Sequence, residues 1–121
     1  MNDVFYLSVQ NLEPKEIHYV FFSEYNAIYS DYGNSKFCID FDDVHTEWHK
    51  MDISEFEDVD FLIRKEISTV YCISHRSKDL PVLVSRLKEL LHKFGGIIGN
   101  DSDEFEPIFN YDNIDDFCYG D

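Results

Sequence analysis

The sequence predicts an α+β fold: a twisted antiparallel sheet with one long helix at about 80–94 and a shorter helix at about 55–66 packed on it. Three observations carry this reading. β-prone runs recur up to Ser74 with hairpin-type turns among them. One long apolar stripe at helical spacing follows. Strands and helices do not alternate regularly enough for a doubly wound parallel sheet. The 121 residues, 44% of them hydrophobic, form one domain spanning 1–121. A domain of this length buries a core without a disulfide or a metal.

The elements follow in chain order. Val4 to Val9 is short, apolar and β-prone, and reads as a strand, with Pro14 breaking the chain after it. Ile17 to Phe22 is apolar and aromatic and fits either a strand or a short helix. Ala27 to Asp31 and Lys36 to Phe41 flank Tyr32-Gly33-Asn34-Ser35, a hairpin signal. In the second arm Phe37, Ile39 and Phe41 alternate with Cys38 and Asp40, as a half-buried strand requires. Asp42-Asp43 supplies a turn into a further strand at His45 to Met51. Ser54-Glu55-Phe56-Glu57 has the capping-box pattern, and Val59, Leu62, Ile63 and Ile67 then fall at helical spacing. Ser68 to Ser74 reads as a central strand. Leu80, Leu83, Val84, Leu87, Leu90, Leu91 and Phe94 form the stripe of the long helix. Asp79 is its expected cap, Pro81 suits its first turn and Gly95-Gly96 its stop. Arg86, Lys88, Glu89, His92 and Lys93 take its other face. Ile97-Ile98 and Pro107-Ile108-Phe109 read as short edge strands.

Charge is the strongest functional signal. Twenty-five acidic residues oppose ten Lys and Arg, a formal net charge of −15. Such a field repels nucleic acid and anionic membranes and attracts cationic proteins. The charge is also unevenly placed. Seven of the ten basic residues lie between Arg64 and Lys93, Asp40 to Asp60 holds nine acids against one Lys, and no Lys or Arg follows Lys93. This distribution predicts an electrostatically two-sided molecule. Aromatics make up 17%, and the eight Tyr suit half-wet contact positions as well as a Tyr-rich sheet. Cys38, Cys72 and Cys118 are odd in number and form no Cys-x-x-Cys pair, which reads as reduced thiols of a cytoplasmic protein. The N-terminus has no basic, apolar leader pattern, and no run approaches the roughly 18 apolar residues of a membrane span.

Catalytic and metal patterns are weak. His45-Thr46-Glu47-Trp48-His49 displaces the acid of the His-Glu-x-x-His motif by one position. On a strand its two His and Glu47 share a face but lie too far apart for a tight tripod. Asp101-Ser102-Asp103-Glu104 with Glu106 lacks the glycine and helix pair of a calcium loop. Cys72 and His75, three apart on a strand, point to opposite faces and form no dyad. Nothing singles out a working pair among so many carboxylates. The expectation is a binding protein that is not an enzyme and needs no cofactor or metal.

Leu87-Lys88-Glu89-Leu90-Leu91-His92-Lys93-Phe94-Gly95-Gly96-Ile97-Ile98-Gly99-Asn100-Asp101, then Pro107-Ile108-Phe109 and Asn113-Ile114-Asp115-Asp116-Phe117, carry a resemblance. Together with Tyr29-Ser30-Asp31-Tyr32-Gly33 they resemble the small acidic immunity proteins of bacterial polymorphic-toxin and contact-dependent growth inhibition systems. The resemblance covers the last third of the chain and this hairpin. It implies a cytoplasmic inhibitor that binds one toxin domain, often a basic nuclease. The residues expected to form the partner-binding face are Asp40, Asp42, Asp43, Glu47, Asp101, Asp103, Glu104 and Glu106. Tyr32 and Trp48 are the expected anchors, Trp48 fitting a core position equally well. The rival readings are a phage-type nucleic-acid mimic, which shares the charge argument, and a small hydrolase.

Overall fold

A computed structural model describes residues 2–25 and 27–117, without the side chains of 22–25. Within them six strands form a single sheet: β1 (Asn2–Ser8), β2 (Ile28–Gly33), β3 (Lys36–Phe41), β4 (Val44–Met51), β5 (Thr69–His75) and β6 (Ile97–Gly99). The order is β2-β3-β4-β5-β1-β6, and every neighbouring pair is antiparallel. The helices are α1 (Pro14–Tyr25), α2 (Val59–Arg64) and α3 (Leu80–Phe94). The α+β class and the long helix are as the sequence predicts. Cys118 and Asp121 lie outside the described residues.

The sheet register decides what each face carries, because side chains alternate along a strand and directly opposed residues share a face. One face presents Val4 and Tyr6 of β1, Phe37, Ile39 and Phe41 of β3, Val44, Thr46 and Trp48 of β4, and Tyr71 and Ile73 of β5. All are buried, and α1 and α3 cover them with Ile17, Val20, Phe21, Leu83, Leu87, Leu90 and Leu91. Each such side chain taken out of water contributes about 1.5–3 kcal/mol. Trp48 is the centre of this layer. Its ring stacks on Phe37 at 5.8 Å and meets Tyr71 edge-on at 6.0 Å. Its Nε1 donates to Thr46 Oγ1 at 2.7 Å, and that hydroxyl donates to the Ile39 carbonyl at 2.7 Å, so the polar atoms buried beside the indole are satisfied.

The opposite face is only half covered. Phe5 and Leu7 of β1 and Val70 of β5 pack under Phe61 and Leu62 of α2, Ile67 and Phe105. Beyond β5 only Met51, at the end of β4, joins this second layer.

Local chemistry corrects several boundaries. Pro14 stands beyond the end of β1 at Ser8. It is the first residue of α1, where its missing N–H has no intrahelical acceptor to satisfy. Glu16 reaches back to accept the Glu13 N–H at 2.8 Å, the reciprocal half of a capping box. Ser54 to Glu57 caps nothing; instead the Asp52 carboxylate accepts from Ser54 N and Oγ, both at 2.9 Å, and starts a 3-10 helix over Ile53–Glu55. α2 begins only at Val59, so it is shorter than the predicted 55–66. Asp79 makes no cap bond to α3, because Arg76 Nε holds its carboxylate at 2.9 Å. Pro107 to Phe109 contributes one bridge, Phe109 to Ile98, rather than a strand.

Both short hairpins close through two residues in the left-handed region, Asn34-Ser35 (φ 53° and 63°) and Asp42-Asp43 (φ 48° and 64°). These turns match the twist of the flanking strands. Gly96 (φ 94°) lets β6 approach β1; a Cβ there would stand 2.3 Å from the Leu7 carbonyl oxygen.

Candidate functional site: the open face of the sheet

The uncovered half-face belongs to β2, β3, β4 and the adjoining end of β5. Its side chains follow from the register: Ser30, Lys36, Cys38, Asp40, His45, Glu47, His49 and Ser74, joined by Asp3 of β1 opposite Ser74. The edge strand places Ile28 opposite Asp40, and its side chain is exposed. One extra residue, Tyr32, enters β2 between Asp31 and Gly33, which pair with Phe37 and Lys36. This β-bulge brings the Tyr32 ring over the open face, where its hydroxyl donates to Cys38 Sγ at 3.1 Å.

Three interactions organise the polar side chains. His45 Nδ1 and Asp40 Oδ1 lie 2.5 Å apart, joined directly across β3 and β4. Ser74 Oγ donates to Asp3 Oδ1 at 2.5 Å. The Tyr32 phenol is held above its ordinary pKa, first by the hydrogen bond it gives to Cys38, then by the charge on Cys38, by partial burial and by Glu47 and Asp40. Cys72, at the inner border, has its thiol pushed up to about 12 by burial, with Asp3 and Asp101 adding to the shift. A thiol that stays protonated is a poor nucleophile, and Cys72 and His75 stand on opposite faces as their spacing predicts.

The second acidic cluster follows β6. Asp101 stands close enough to act on the Cys72 thiol, and the loop after it is pinned by Phe105, whose ring meets Phe5 at 5.4 Å on this side of the sheet. Glu104 stands beside α2 in the covering layer, while Asp40 and Glu47 stand on the open half.

The individual expectations separate clearly. Tyr32 is exposed on this face. Trp48 is not; it is 1% exposed and belongs to the core, because it alternates with Glu47 and His49 and so faces the helices. Glu104 is engaged by Arg64 at 3.1 Å, and its backbone N–H donates to the Asp58 carboxylate at 3.1 Å. Asp42 leans toward the helical side and pairs with Arg86 at 3.3 Å. Sequence reasoning missed Asp3, Lys36, Cys38 and Ile28 as members of this surface. The signal that finds them is the pairing of two alternating strands, whose polar positions fall in register.

Two hollows lie on this surface. One, of about 250 Å³, is lined by Tyr32, Lys36, Glu47, His49, Cys72 and Ser74 among others. The other, of about 480 Å³, is walled by Ile28, Phe41 and Val44 with Asp40, Asp42, Asp43 and His45. An apolar wall with a carboxylate rim suits the stem and cationic head of a Lys or Arg side chain. Among the described residues, one trio of His, Cys, Asp or Glu could together hold a metal ion: Cys38, Asp40 and His45, whose ligand atoms all lie within 4.8 Å of one another.

The other side of the molecule is chemically different. Lys88, His92 and Lys93 of α3 border a hollow of about 580 Å³ with Val20 and Tyr111. Lys93 Nζ lies 5.1 Å from the Tyr19 ring centre, and Lys88 Nζ 5.5 Å from that of Tyr111.

No family model matches the chain, and no curated protein or solved structure matches it either. Among the described residues, no helix is long and apolar enough to cross a membrane.

Proposed function

We propose that this chain is an immunity protein that neutralises a basic protein toxin domain, of the nuclease type, by stoichiometric binding in the cytoplasm through its acidic sheet side. The observation that carries the reading is the open half-face, where Asp3, Asp40 and Glu47, with Asp101 at its border, face one Lys. A half-sheet left uncovered in a molecule that covers the rest is a natural seat for another protein. Nuclease domains are basic because they hold phosphates. An acidic face steers such a partner in and rejects others. Tyr32 and Ile28 supply exposed apolar contact at the edge, and the carboxylate-rimmed hollow receives a cationic side chain. Neither catalysis nor a cofactor enters this mechanism.

The test pairs the chain with the toxin domain encoded immediately upstream. Its expected result is a one-to-one complex that blocks the toxin's activity and competes with the toxin's nucleic-acid substrate or covers an adjacent basic face. Absence of binding to that domain, together with binding to a host nucleic-acid-binding protein, would replace immunity with the mimic reading.

A further inference from the structure

We propose that Cys38, Asp40 and His45 form a binding site for a single zinc-class divalent ion on the open sheet face. The inference goes beyond toxin binding and does not depend on it. Their three ligand atoms lie within 4.8 Å of one another, a separation that small side-chain rotations reduce to the roughly 3.2–3.8 Å between donors of a tetrahedral zinc ion with bonds of about 2.0–2.3 Å.

The backbone delivers this arrangement without relying on a loop. Cys38 and Asp40 are two apart on β3 and so share a face, and Asp40 is directly opposite His45 on β4. The tight Asp42-Asp43 turn fixes the register between them. This trio is not the one suggested by the His45, Glu47 and His49 spacing. Along one strand those donors spread over two full repeats, whereas the cross-strand pairing compresses Cys38, Asp40 and His45 into one cluster. His49 sits opposite Lys36 instead.

The donor chemistry selects the ion. A thiolate, an imidazole and a carboxylate together favour zinc or cobalt over the hard cations magnesium and calcium. On binding, the ion takes the place of the proton between His45 Nδ1 and Asp40 Oδ1, the imidazole carries its hydrogen on Nε2, and Cys38 releases its thiol proton to solvent. Tyr32 donates to Cys38 Sγ and continues to do so to the thiolate, an outer contact of the kind that orients a metal ligand. Glu47, directly across from Cys38, adds negative charge beside the dication. The side chains of Asp40 and His45 are 43% and 40% exposed, which leaves a fourth position open to water.

The experiment titrates the reduced, purified chain with cobalt(II) and follows the thiolate-to-cobalt charge-transfer and visible ligand-field bands, then displaces the cobalt with zinc. One equivalent is expected, with affinity rising with pH as the thiol proton is released. Cys38→Ser should abolish the charge-transfer band, and Asp40→Asn and His45→Gln should each weaken binding at least tenfold. Both of the latter residues are half exposed, so these variants read the site without disturbing the core. His49→Gln, Cys72→Ser and Cys118→Ser should bind as the wild type does. No charge-transfer band in the wild type would overturn the proposal. So would a band that survives in Cys38→Ser, or one lost equally in His49→Gln. The titration contains no toxin, so its failure leaves the binding reading standing, and failure of toxin binding leaves this site standing.

Discussion

The two halves of one sheet face present opposite solutions to the same geometric problem. On β1 and β5, successive residues run apolar on both sides: Val4-Phe5-Tyr6-Leu7 and Val70-Tyr71-Cys72-Ile73. These strands are buried from above and below, by α1 and α3 on one side and by α2 with Phe105 on the other. On β3, and on β4 as far as His49, the pattern alternates, with Phe37, Ile39, Phe41, Val44, Thr46 and Trp48 toward the helices and Lys36, Cys38, Asp40, His45, Glu47 and His49 away from them. The difference between a continuous apolar run and an alternating one is the difference between a strand covered on both faces and one that keeps a face for something else. The acidic side of the molecule is built on that second kind of strand.

The largest effects should come from breaking the covered side. Trp48→Ala removes the ring that joins Phe37, Phe21 and Tyr71, and should cost about 3–5 kcal/mol in denaturant unfolding. Leu87→Ala and Leu90→Ala, both fully buried under the sheet, should cost about 2–5 kcal/mol each. Glu47→Ala, one position from Trp48 but on the open face, should shift stability by no more than about 0.5 kcal/mol. Equal costs for Trp48 and Glu47 would erase the distinction between the faces.

Alkaline pH sharpens the same contrast. The unfolded chain ionises Tyr6 at its ordinary 10.0, whereas burial raises the folded value to about 12. Between these the unfolded state holds fewer protons, so stability falls as pH rises, while below pH 10.0 this contribution is intact. The loss should reach about 2–3 kcal/mol by pH 12. Tyr6→Phe should reduce the pH slope, read by equilibrium unfolding at fixed pH values. A slope unchanged by Tyr6→Phe would mean that this phenol does not drive the alkaline transition. The smallest expected effect is at the Asp42-Asp43 turn. Asp43→Gly relieves a left-handed residue (φ 64°) and should stabilise by about 0.5 kcal/mol or less, the low side of the range for such turn positions.

Much of this fold was legible because hydrophobic period decides it. The Leu80 to Phe94 stripe, the Lys36 to Phe41 alternation and the Gly95 stop all appear where periodicity and turn chemistry place them. Ile17 to Phe22 fits both strand and helix because it is aromatic and β-branched, and only the Pro14 start and the Glu16 contact mark α1 as a helix. α2 was read too long because a capping-box pattern and Asp52 compete for the same turn, and Asp52 wins. In the candidate site, charge and the turn residues were readable, and so was the shared face of His45, Glu47 and His49. The convergence of Asp40 on His45 and of Tyr32 on Cys38 depends on strand register and a bulge. Those are tertiary facts that composition and spacing within one segment do not contain.

The central claim is that the open side of the sheet, rather than net charge in general, receives the partner. It is tested most directly by association rate against ionic strength with the upstream toxin domain, for the wild type and two triple variants of equal charge change. One variant, Asp3→Asn with Glu47→Gln and Asp101→Asn, strips the sheet side without touching the proposed metal ligands. The other, Asp112→Asn with Asp115→Asn and Asp116→Asn, strips acids near α3, where Asp115 pairs with Lys88. The Debye length shrinks from about 30 Å at 0.01 M to about 8 Å at 0.15 M, so wild-type association should slow as salt rises. The sheet-side variant should associate at least tenfold more slowly at low salt and lose most of that salt dependence, and the helix-side variant should stay close to wild type. Equal slowing of the two variants, or a wild-type rate flat with salt, would contradict the account.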